Sequence, residues 1–277
     1  MPVACCLMHG VILPLAEQAL GDGVACRLCG EKAAVAFSGR ILNRHEVAYY
    51  LCPNCGLLQT EQPYWLDQAY GEALSAADTG VMYRNLWLMK CTAVLLRLLR
   101  MKTGSFLDYG GGHGVLARLM RDHGYDFHCW DAHAQNLFVR GFSGDPEQHY
   151  DGVTAFEVLE HLTDPGSFFE RILGRMKPAF LFASSELFSE PVNQNWHYFY
   201  YATGQHIAFY QTKTLQWIAG IYGYSCTSVG GLHLFLRQPR RMPGVRFALR
   251  FAPRLYPLLR FGSLTASDHQ RLMREPD

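Results

Sequence analysis

Two carboxylates and an alternating run of glycines are the first residues in this chain whose spacing suits ligand binding. Asp108 precedes Gly110, Gly112 and Gly114, and Asp131 lies further along the chain. The order is apolar run, glycine turn, helical pattern, apolar run and acid, with the second acid about 20 residues after the glycines. Glycines allow a tight turn and a close approach of the backbone to a ligand. The unit predicts a nucleotide-binding loop, and Asp108 beside it suits a ligand that carries positive charge.

Four cysteines form a second pattern that could do chemistry. They stand in two Cys-x-x-Cys pairs, Cys26 with Cys29 and Cys52 with Cys55. Two such turns present four thiolates to one tetrahedral centre, which is typical of a closed structural zinc site. A module of about forty residues has too small a core to fold by itself and needs a stabilising cross-link such as a bound metal. We predict structural zinc here, with free cysteines in turns as the alternative.

Histidines and acids follow the glycine unit in two further segments. Glu157, Glu160 and His161 come directly after an apolar run that ends at Phe156, and His206 lies within the aromatic segment 186–210. Imidazole exchanges protons near neutral pH, so His206 is the first candidate for a general base and His161 the second. A structural histidine bonded to a backbone carbonyl is the alternative for both.

The aromatic segment itself is a candidate for acceptor binding. Its members include Trp196, His197 and Tyr210. Aromatic rings can stack on a sugar or a ring-shaped acceptor, although aromatic residues also dominate protein cores. We predict that these three residues contact the acceptor.

The elements that position these residues alternate between strands and helices. The hydrophobic pattern predicts a long helix over 83–100, a helix from Pro165, a strand over 179–183, a helix from Thr212 to Gly223 and a final strand pair over 224–229 and 233–237. Only a short segment between Asp131 and Asp151 remains for a third strand. In an open parallel sheet the ligand crevice lies at the carboxyl ends of the strands, where the acids and histidines fall.

Composition limits the classes of protein that fit. The chain has 277 residues, 49% of them apolar, which is enough for a large core. The net charge of +1 gives no global attraction to nucleic acid, so no nucleic-acid partner is expected. No uncharged apolar run reaches the length of about 18 residues that suggests a membrane span. The Cys-x-x-Cys pairs favour a reducing compartment, so we expect a cytoplasmic protein.

The C-terminal stretch has a different character. Its arginines occur with no acid between Arg237 and Asp268, and apolar residues interleave with them. One reading is a basic amphipathic surface that contacts an anionic membrane or an acidic partner. The other is an arm folded on the main domain with solvated arginines. Pro253 and Pro257 exclude one long helix.

The glycine unit resembles motif I of the class I S-adenosylmethionine-dependent methyltransferases, an acid followed by G-x-G-x-G. The resemblance implies a Rossmann-like α/β sheet with helices on both faces, and S-adenosylmethionine as cofactor. It places Asp108 near the methionine amino group and Asp131 on the ribose hydroxyls. It also assigns Ala132, Phe156 and Glu157 to the cofactor site. On spacing alone, an NAD-binding protein is the alternative.

A second resemblance covers the zinc ribbon and the later motifs. The stretch Cys-Pro-Asn-Cys-Gly-Leu-Leu-Gln-Thr over 52–60, together with 156–162 and 204–210, resembles bacterial methyltransferases with an N-terminal zinc ribbon. These are often associated with polysaccharide and deoxysugar biosynthesis. Sugar C-methyltransferases among them carry a Tyr-His-Glu-His stretch, of which the last histidine matches His206. Gln205 and Thr203 replace the Glu and the Tyr, so O-methylation is at least as compatible as C-methylation.

These observations predict methyl transfer from S-adenosylmethionine to a hydroxyl or carbon of a carbohydrate or glycan precursor. The alternatives are a phenolic or quinone-like acceptor, and a non-catalytic zinc-ribbon binding protein. A further variant uses Glu157, Glu160 and His161 as a divalent metal site, as in RNA-end methyltransferases that share Glu-x-x-Glu-His. The predicted units are a tail at 1–23, a zinc ribbon at 24–62, a helical connection at 63–103, the methyltransferase domain at 104–237 and a basic arm at 238–277.

Overall fold

The computed structural model describes residues 23–70, 79–237 and 242–274. The predicted tail, apart from Gly23, and Arg240 and Arg241 of the arm lie outside these residues. The strands are β1 Val24–Ala25, β2 Lys32–Ile41, β3 His45–Leu51, β4 Leu58–Thr60, β5 Ser105–Tyr109, β6 Asp126–Trp130, β7 Gly152–Phe156, β8 Phe180–Ser184, β9 Ala208–Phe209, β10 Tyr224–Val229 and β11 Leu232–Arg237. The α-helices are α1 Leu66–Ala69, α2 Val81–Leu98, α3 Val115–Asp122, α4 Pro165–Phe169, α5 Thr212–Tyr222, α6 Val245–Arg250, α7 Ala252–Leu255 and α8 Thr265–Arg274.

Six strands form the main sheet in the order β10-β11-β8-β7-β5-β6. The central strands are parallel, and the hairpin of β10 and β11 pairs antiparallel with β8. The predicted third strand is reduced to one parallel bridge between Cys129 and Ser143, as its short, glycine-broken sequence suggested. The predicted α/β fold of the class I methyltransferase type is confirmed.

Helices cover both faces of the main sheet because successive strand residues alternate between two cores. Leu107, Val153 and Leu181 pack in the core that also contains residues of α4 and α5. Phe106 and Phe182, on the opposite face, pack in the core that contains residues of α2, α3 and α6. Helix α4 continues as a π-helix over Glu170–Met176. Both cores bury their large side chains almost completely, which fixes the carboxyl ends of β5, β7 and β8 relative to one another.

The N-terminal region forms a second, antiparallel sheet in the order β1-β2-β3-β4-β9. Its last strand comes from the segment after β8: Leu58 pairs with Phe209 and Gln59 with Ala208. The ribbon is therefore joined to the segment that carries His206. A side chain strengthens this joint, since the Arg27 guanidinium donates to the Ile207 carbonyl at 2.6 Å. The domain boundaries stay a prediction.

The C-terminal arm consists of short helices, as the two prolines require. Helices α6 and α7 and a 3₁₀ turn over Tyr256–Leu258 are followed by α8. Buried Asp268 on α8 accepts hydrogen bonds from the Arg118 and Arg121 guanidinium groups of α3 at 2.7 to 3.0 Å, which holds the arm on the main domain. Phe247 and Leu258 remain 62% and 78% exposed. Contact of this arm with a membrane stays a prediction. Among the described residues, no helix combines the length and the apolar character needed to cross a membrane.

Candidate functional site

The glycine loop lies between the end of β5 and the start of α3, at the carboxyl edge of the main sheet. Gly110, Gly112 and Gly114 all have positive φ, at 68°, 56° and 87°. A Cβ atom added at Gly112 would meet nothing within 4 Å, whereas one at Gly110 would lie 2.5 Å from the Val158 side chain. Gly112 therefore leaves open space above the loop, and its conformation disfavours any other residue. This is the cradle that a nucleotide cofactor requires.

Asp108 is buried beneath this loop and is only 2% exposed. Its Oδ1 accepts a hydrogen bond from the Thr154 hydroxyl of the neighbouring strand at 2.7 Å. Its Oδ2 has no hydrogen-bond partner among the residues that the structure describes. Burial raises the pKa of Asp108 to about 7, and the negative charge of Asp131 adds to the effect. A positively charged group above the loop would stabilise the ionised carboxylate, which fits the predicted cofactor.

Asp131 follows β6 and connects the glycine loop to the segment after it. Its Oδ2 accepts from the Gly112 backbone N–H at 2.8 Å, and its Oδ1 accepts from the backbone N–H groups of His133 and Ala134, both at 2.8 Å. A carboxylate has about four acceptor positions, so one remains for a ribose hydroxyl. The resemblance to class I methyltransferases implied that Asp131 contacts both ribose hydroxyls, and this contact stays a prediction.

The other predicted cofactor residues differ in exposure. Ala132 is exposed beside Asp131. Phe156 is 9% exposed, and its ring packs edge-on against Phe182, so its side chain belongs to the core. Glu157 is exposed at the end of β7, and its Oε1 accepts from the Ser184 hydroxyl at 2.6 Å. This bond fixes Glu157 across the carboxyl ends of two parallel strands.

The two candidate bases lie together. The His161 and His206 ring centroids are 4.9 Å apart, and their planes are nearly perpendicular at 83°. His206 is 8% exposed, and its Nδ1 bonds to the Tyr198 carbonyl at 2.7 Å. The Nδ1 of His161 bonds to the Gln205 carbonyl at 3.1 Å. Burial lowers the pKa of His161 to about 3, and the charge of His206 lowers the pKa of His161 further. Burial lowers the pKa of His206 to about 4.

Glu160 joins this pair. One oxygen of Glu160 and one nitrogen of each histidine all lie within 4.8 Å of one another. The Glu160 carboxyl is completely buried, and burial raises its pKa to about 8, with a further contribution from the charge of Glu157. Of the three residues in the predicted metal variant, Glu160 and His161 lie in this group together with His206. The Glu157 carboxylate lies outside it and accepts from the Ser184 hydroxyl.

Two tyrosines complete this region, and sequence reasoning missed both. The Tyr198 hydroxyl donates to Glu160 Oε1 at 2.5 Å. The Tyr70 hydroxyl lies 2.9 Å from His161 Nδ1, and its ring stacks on His133 with centroids 5.7 Å apart. Tyr70 thereby bridges the segment after Asp131 and the histidine pair. No spacing signal connects position 70 to positions 133 and 161; only the fold brings them together.

The predicted acceptor contacts are only partly accessible. Tyr210 has no exposed surface, and its hydroxyl donates to the Leu159 carbonyl at 3.0 Å. Tyr210 is therefore a core residue, and we withdraw it from the acceptor site. Trp196 is half-buried and packs against Phe199 and Phe209. His197 is exposed, and its Nε2 lies 3.2 Å from Glu186 Oε1.

The four ribbon cysteines converge in the geometry expected of a metal centre. The Sγ atoms of Cys26 and Cys55 are 3.5 Å apart, as are those of Cys29 and Cys52. All four sulfurs lie within 4.8 Å of one another, and all four thiols are free of disulfides. A tetrahedral zinc site with Zn–S bonds of about 2.3 Å separates its sulfurs by about 3.8 Å. Hydrogen bonding with Cys55 lowers the pKa of Cys26 to about 5. The residues present fit zinc.

Comparison with known proteins is consistent with this geometry. A family model described as a methyltransferase domain matches residues 86–229, more than half of the chain. No curated protein matches. The chain belongs to the methyltransferase domain family. Its fold is of the class I type, and the open glycine cradle and the Asp108 oxygen that lacks a partner among the described residues fit S-adenosylmethionine as cofactor.

Three solved methyltransferase structures show low similarity to this chain. One is CalO1, a methyltransferase in calicheamicin biosynthesis, in an SAH-bound form: it is 17% identical, with a TM-score of 0.37, and the alignment covers 53% of this chain and 54% of that chain. Another is magnesium protoporphyrin IX methyltransferase (ChlM) from Synechocystis PCC 6803 with bound SAH, 15% identical, with a TM-score of 0.42 and coverage of 62% and 93%. A third is an O-methyltransferase family 2 protein from Planctomyces limnophilus DSM 3776 in complex with apigenin, 14% identical, with a TM-score of 0.37 and coverage of 50% and 51%. This chain thus spans about half the length of the first and third, and none of these likenesses bears on the acceptor.

Proposed function

We propose that this protein transfers a methyl group from S-adenosylmethionine to a hydroxyl group of a carbohydrate or glycan precursor. S-adenosylmethionine supplies an electrophilic methyl group on a positively charged sulfur. The chain's own residues must hold this donor, align the acceptor oxygen with the methyl carbon and help the hydroxyl to lose its proton. Alignment of this kind can contribute about 7 to 11 kcal/mol to the lowering of the barrier.

The observation that carries the proposal is the position of the histidine pair. His206 and His161 lie on the segments after β8 and β7, on the same edge of the sheet as the glycine loop. Because Nδ1 of His206 bonds to a backbone carbonyl, the lone pair on its Nε2 remains free to activate a hydroxyl. Activation by a placed group is typically worth about 10² to 10⁴-fold in rate.

The polar rim of the site favours a hydroxyl-rich acceptor over a phenolic ring. The exposed side chains around the carboxyl ends of β7 and β8 include Glu157, Glu186 and His197. The aromatic side chains that could have stacked on a phenol are largely used in the core, as Tyr210 and Phe199 show. Tyr200, at 52% exposed, is a ring left accessible for packing on a sugar face.

We propose further that the four cysteines bind a structural zinc ion. The closed four-sulfur arrangement leaves no coordination position for a substrate, so the ion would stabilise the ribbon and take no part in the reaction.

The test is an assay of the full chain with labelled S-adenosylmethionine against nucleotide sugars, lipid-linked glycans and simple phenols. We expect label in a sugar hydroxyl, and a loss of about 10² to 10⁴-fold in kcat for His206→Ala with unchanged donor affinity by calorimetry. Label in phenols alone would replace the carbohydrate proposal with the phenolic one. No binding of S-adenosylmethionine would support a non-catalytic binding protein.

A further inference from the structure

The cluster of Glu160, His161 and His206 has features that methyl transfer by itself does not require. We propose that these three side chains bind one divalent transition-metal ion beside the acceptor site, distinct from the zinc of the ribbon. The inference rests on the proposed function only where it concerns the acceptor; the metal site itself can be tested without any methyl transfer.

Distance is the first argument. One ligand atom from each of the three residues lies within 4.8 Å of the other two. Metal bonds to imidazole nitrogen and carboxylate oxygen are about 2.0 to 2.2 Å long. Three atoms this close can surround one ion after small side-chain movements. The residues come from two segments that the fold holds together, because the Ile207 backbone N–H donates to the Glu160 carbonyl at 2.8 Å.

The orientation of the histidine rings is the second argument. A metal-bound histidine almost always uses its other ring nitrogen to donate to a carbonyl or carboxylate. Here Nδ1 of His206 bonds to the Tyr198 carbonyl and Nδ1 of His161 to the Gln205 carbonyl. These bonds orient both rings and leave Nε2 of each as the ligand atom.

A buried histidine elsewhere in the chain shows what a purely structural imidazole looks like. His233 has no exposed surface, and both of its ring nitrogens have partners. Its Nδ1 lies 2.9 Å from the Ser228 hydroxyl, and its Nε2 lies 2.9 Å from the Ser185 carbonyl. The histidines of the cluster differ because no hydrogen bond is made by Nε2 of His161 or His206 within the described part of the chain.

The Glu160 carboxylate is the third argument. Its Oε1 accepts from the Tyr198 hydroxyl, but its Oε2 is buried with no hydrogen-bond partner in residues 23–70, 79–237 and 242–274. A buried polar atom without a partner carries a desolvation cost of about 1 to 3 kcal/mol, more if charged. A bound cation satisfies this oxygen, and Tyr198 then orients the carboxylate from behind.

The donor set indicates the kind of metal. Two imidazoles and one carboxylate suit zinc, manganese, iron or cobalt, whereas magnesium and calcium prefer sites made of oxygen ligands. Three protein ligands leave at least one coordination position for an outside oxygen. A hydroxyl bound there releases its proton to solvent more readily. Its oxygen then forms the bond to the methyl carbon while the carbon–sulfur bond breaks and its electron pair stays on sulfur. With the metal bound, the Nε2 lone pair of His206 is used in coordination, so the ion and not the imidazole base promotes loss of the hydroxyl proton.

The test is a titration of the full chain with Mn²⁺, followed by the electron paramagnetic resonance signal of the free ion. Mn²⁺ is the probe because the four thiolates prefer zinc, so the ribbon does not compete for it. We expect one Mn²⁺ per chain in the wild type. Glu160→Gln and His206→Gln should weaken binding by more than about tenfold, and Tyr198→Phe, which removes only the orienting hydroxyl, by about 10 to 100-fold.

The matched control is His233→Gln, which alters an equally buried histidine outside the cluster and should leave Mn²⁺ affinity unchanged. Circular dichroism checks that each variant is folded. The inference is overturned if the wild type binds no Mn²⁺, or if Glu160→Gln and Tyr198→Phe both bind it as the wild type does. These outcomes are separate from the acceptor assay: methyl transfer with no bound Mn²⁺ refutes the metal site alone, and bound Mn²⁺ without methyl transfer refutes the proposed function alone.

Discussion

The pH dependence of stability should reveal the protonation state of Asp108 in the cofactor-free protein. Its folded-state pKa is about 7, against an ordinary value of 3.8, because burial penalises the charged form. A raised carboxyl pKa means that the folded state binds the proton more tightly than the unfolded chain. The stabilisation from the protonated form is therefore fully present below the unfolded pKa and is lost as pH rises through 7.

The perturbation is Asp108→Asn, which keeps the shape of the side chain and cannot ionise. With these two pKa values, proton linkage predicts that the wild type loses about 2 to 3 kcal/mol of unfolding free energy relative to the variant between pH 5 and pH 8. Other buried groups, including the histidines, titrate in both proteins and cancel in the difference.

The assay is urea-induced unfolding of both proteins, followed by fluorescence at four pH values between 5 and 8 at constant ionic strength. A difference that stays constant across this range would show that Asp108 is already ionised in the fold, and the burial argument would be refuted. Calorimetry provides an independent check. A positively charged cofactor favours the ionised form, so S-adenosylmethionine should bind the wild type more tightly at pH 8 than at pH 6, and the variant should not show this trend.

Three further predictions concern packing, the loop and the ribbon. Asp268→Asn should destabilise the fold by about 3 to 5 kcal/mol in urea unfolding because it leaves the buried Arg121 guanidinium partly unpaired. The control Asp122→Asn, at an exposed ion pair, should cost less than about 1 kcal/mol. Equal effects of the two substitutions would contradict the burial argument. Gly112→Ala should weaken S-adenosylmethionine binding in calorimetry and lower the free energy of unfolding by about 1 to 2 kcal/mol, because Gly112 has a positive φ. Gly220→Ala, on a helix surface, should instead raise the free energy of unfolding by about 0.5 to 1 kcal/mol. Chelation of the zinc proposed for the ribbon should raise hydrogen exchange in both β4 and β9 and lower activity while donor binding persists. Unchanged exchange in β9 would show that the two units are independent.

Local patterns in the sequence predicted most of the secondary structure. The helix predicted over 83–100 is α2 at Val81–Leu98, and the predicted strand pair is β10 and β11. The glycine loop and the Cys-x-x-Cys turns were equally visible, because each is a short motif whose backbone conformation depends on its own residues. These features required no knowledge of distant contacts.

The acceptor region could not be predicted in the same way. Trp196, His197 and Tyr210 look alike as members of one aromatic segment, yet only the packing of the core decides that Tyr210 is buried and His197 exposed. Tyr70 and Tyr198 were not predicted as site residues because no local pattern distinguishes them from the other tyrosines around them. Their importance comes from hydrogen bonds to His161 and Glu160, which are far from them in the chain.

The sequence by itself determined the cofactor loop, the order of strands and helices, and the four cysteines of the ribbon, since each depends on residues close together in the chain. Only the tertiary structure decided that β9 completes the ribbon's sheet and that His206 rather than Glu157 joins Glu160 and His161. It also decided that the Asp108 and Glu160 carboxyls are buried, each with one oxygen that lacks a partner among the residues the structure describes. The physical reason is that contacts between distant segments depend on the packing of the whole core, which a local sequence pattern does not specify.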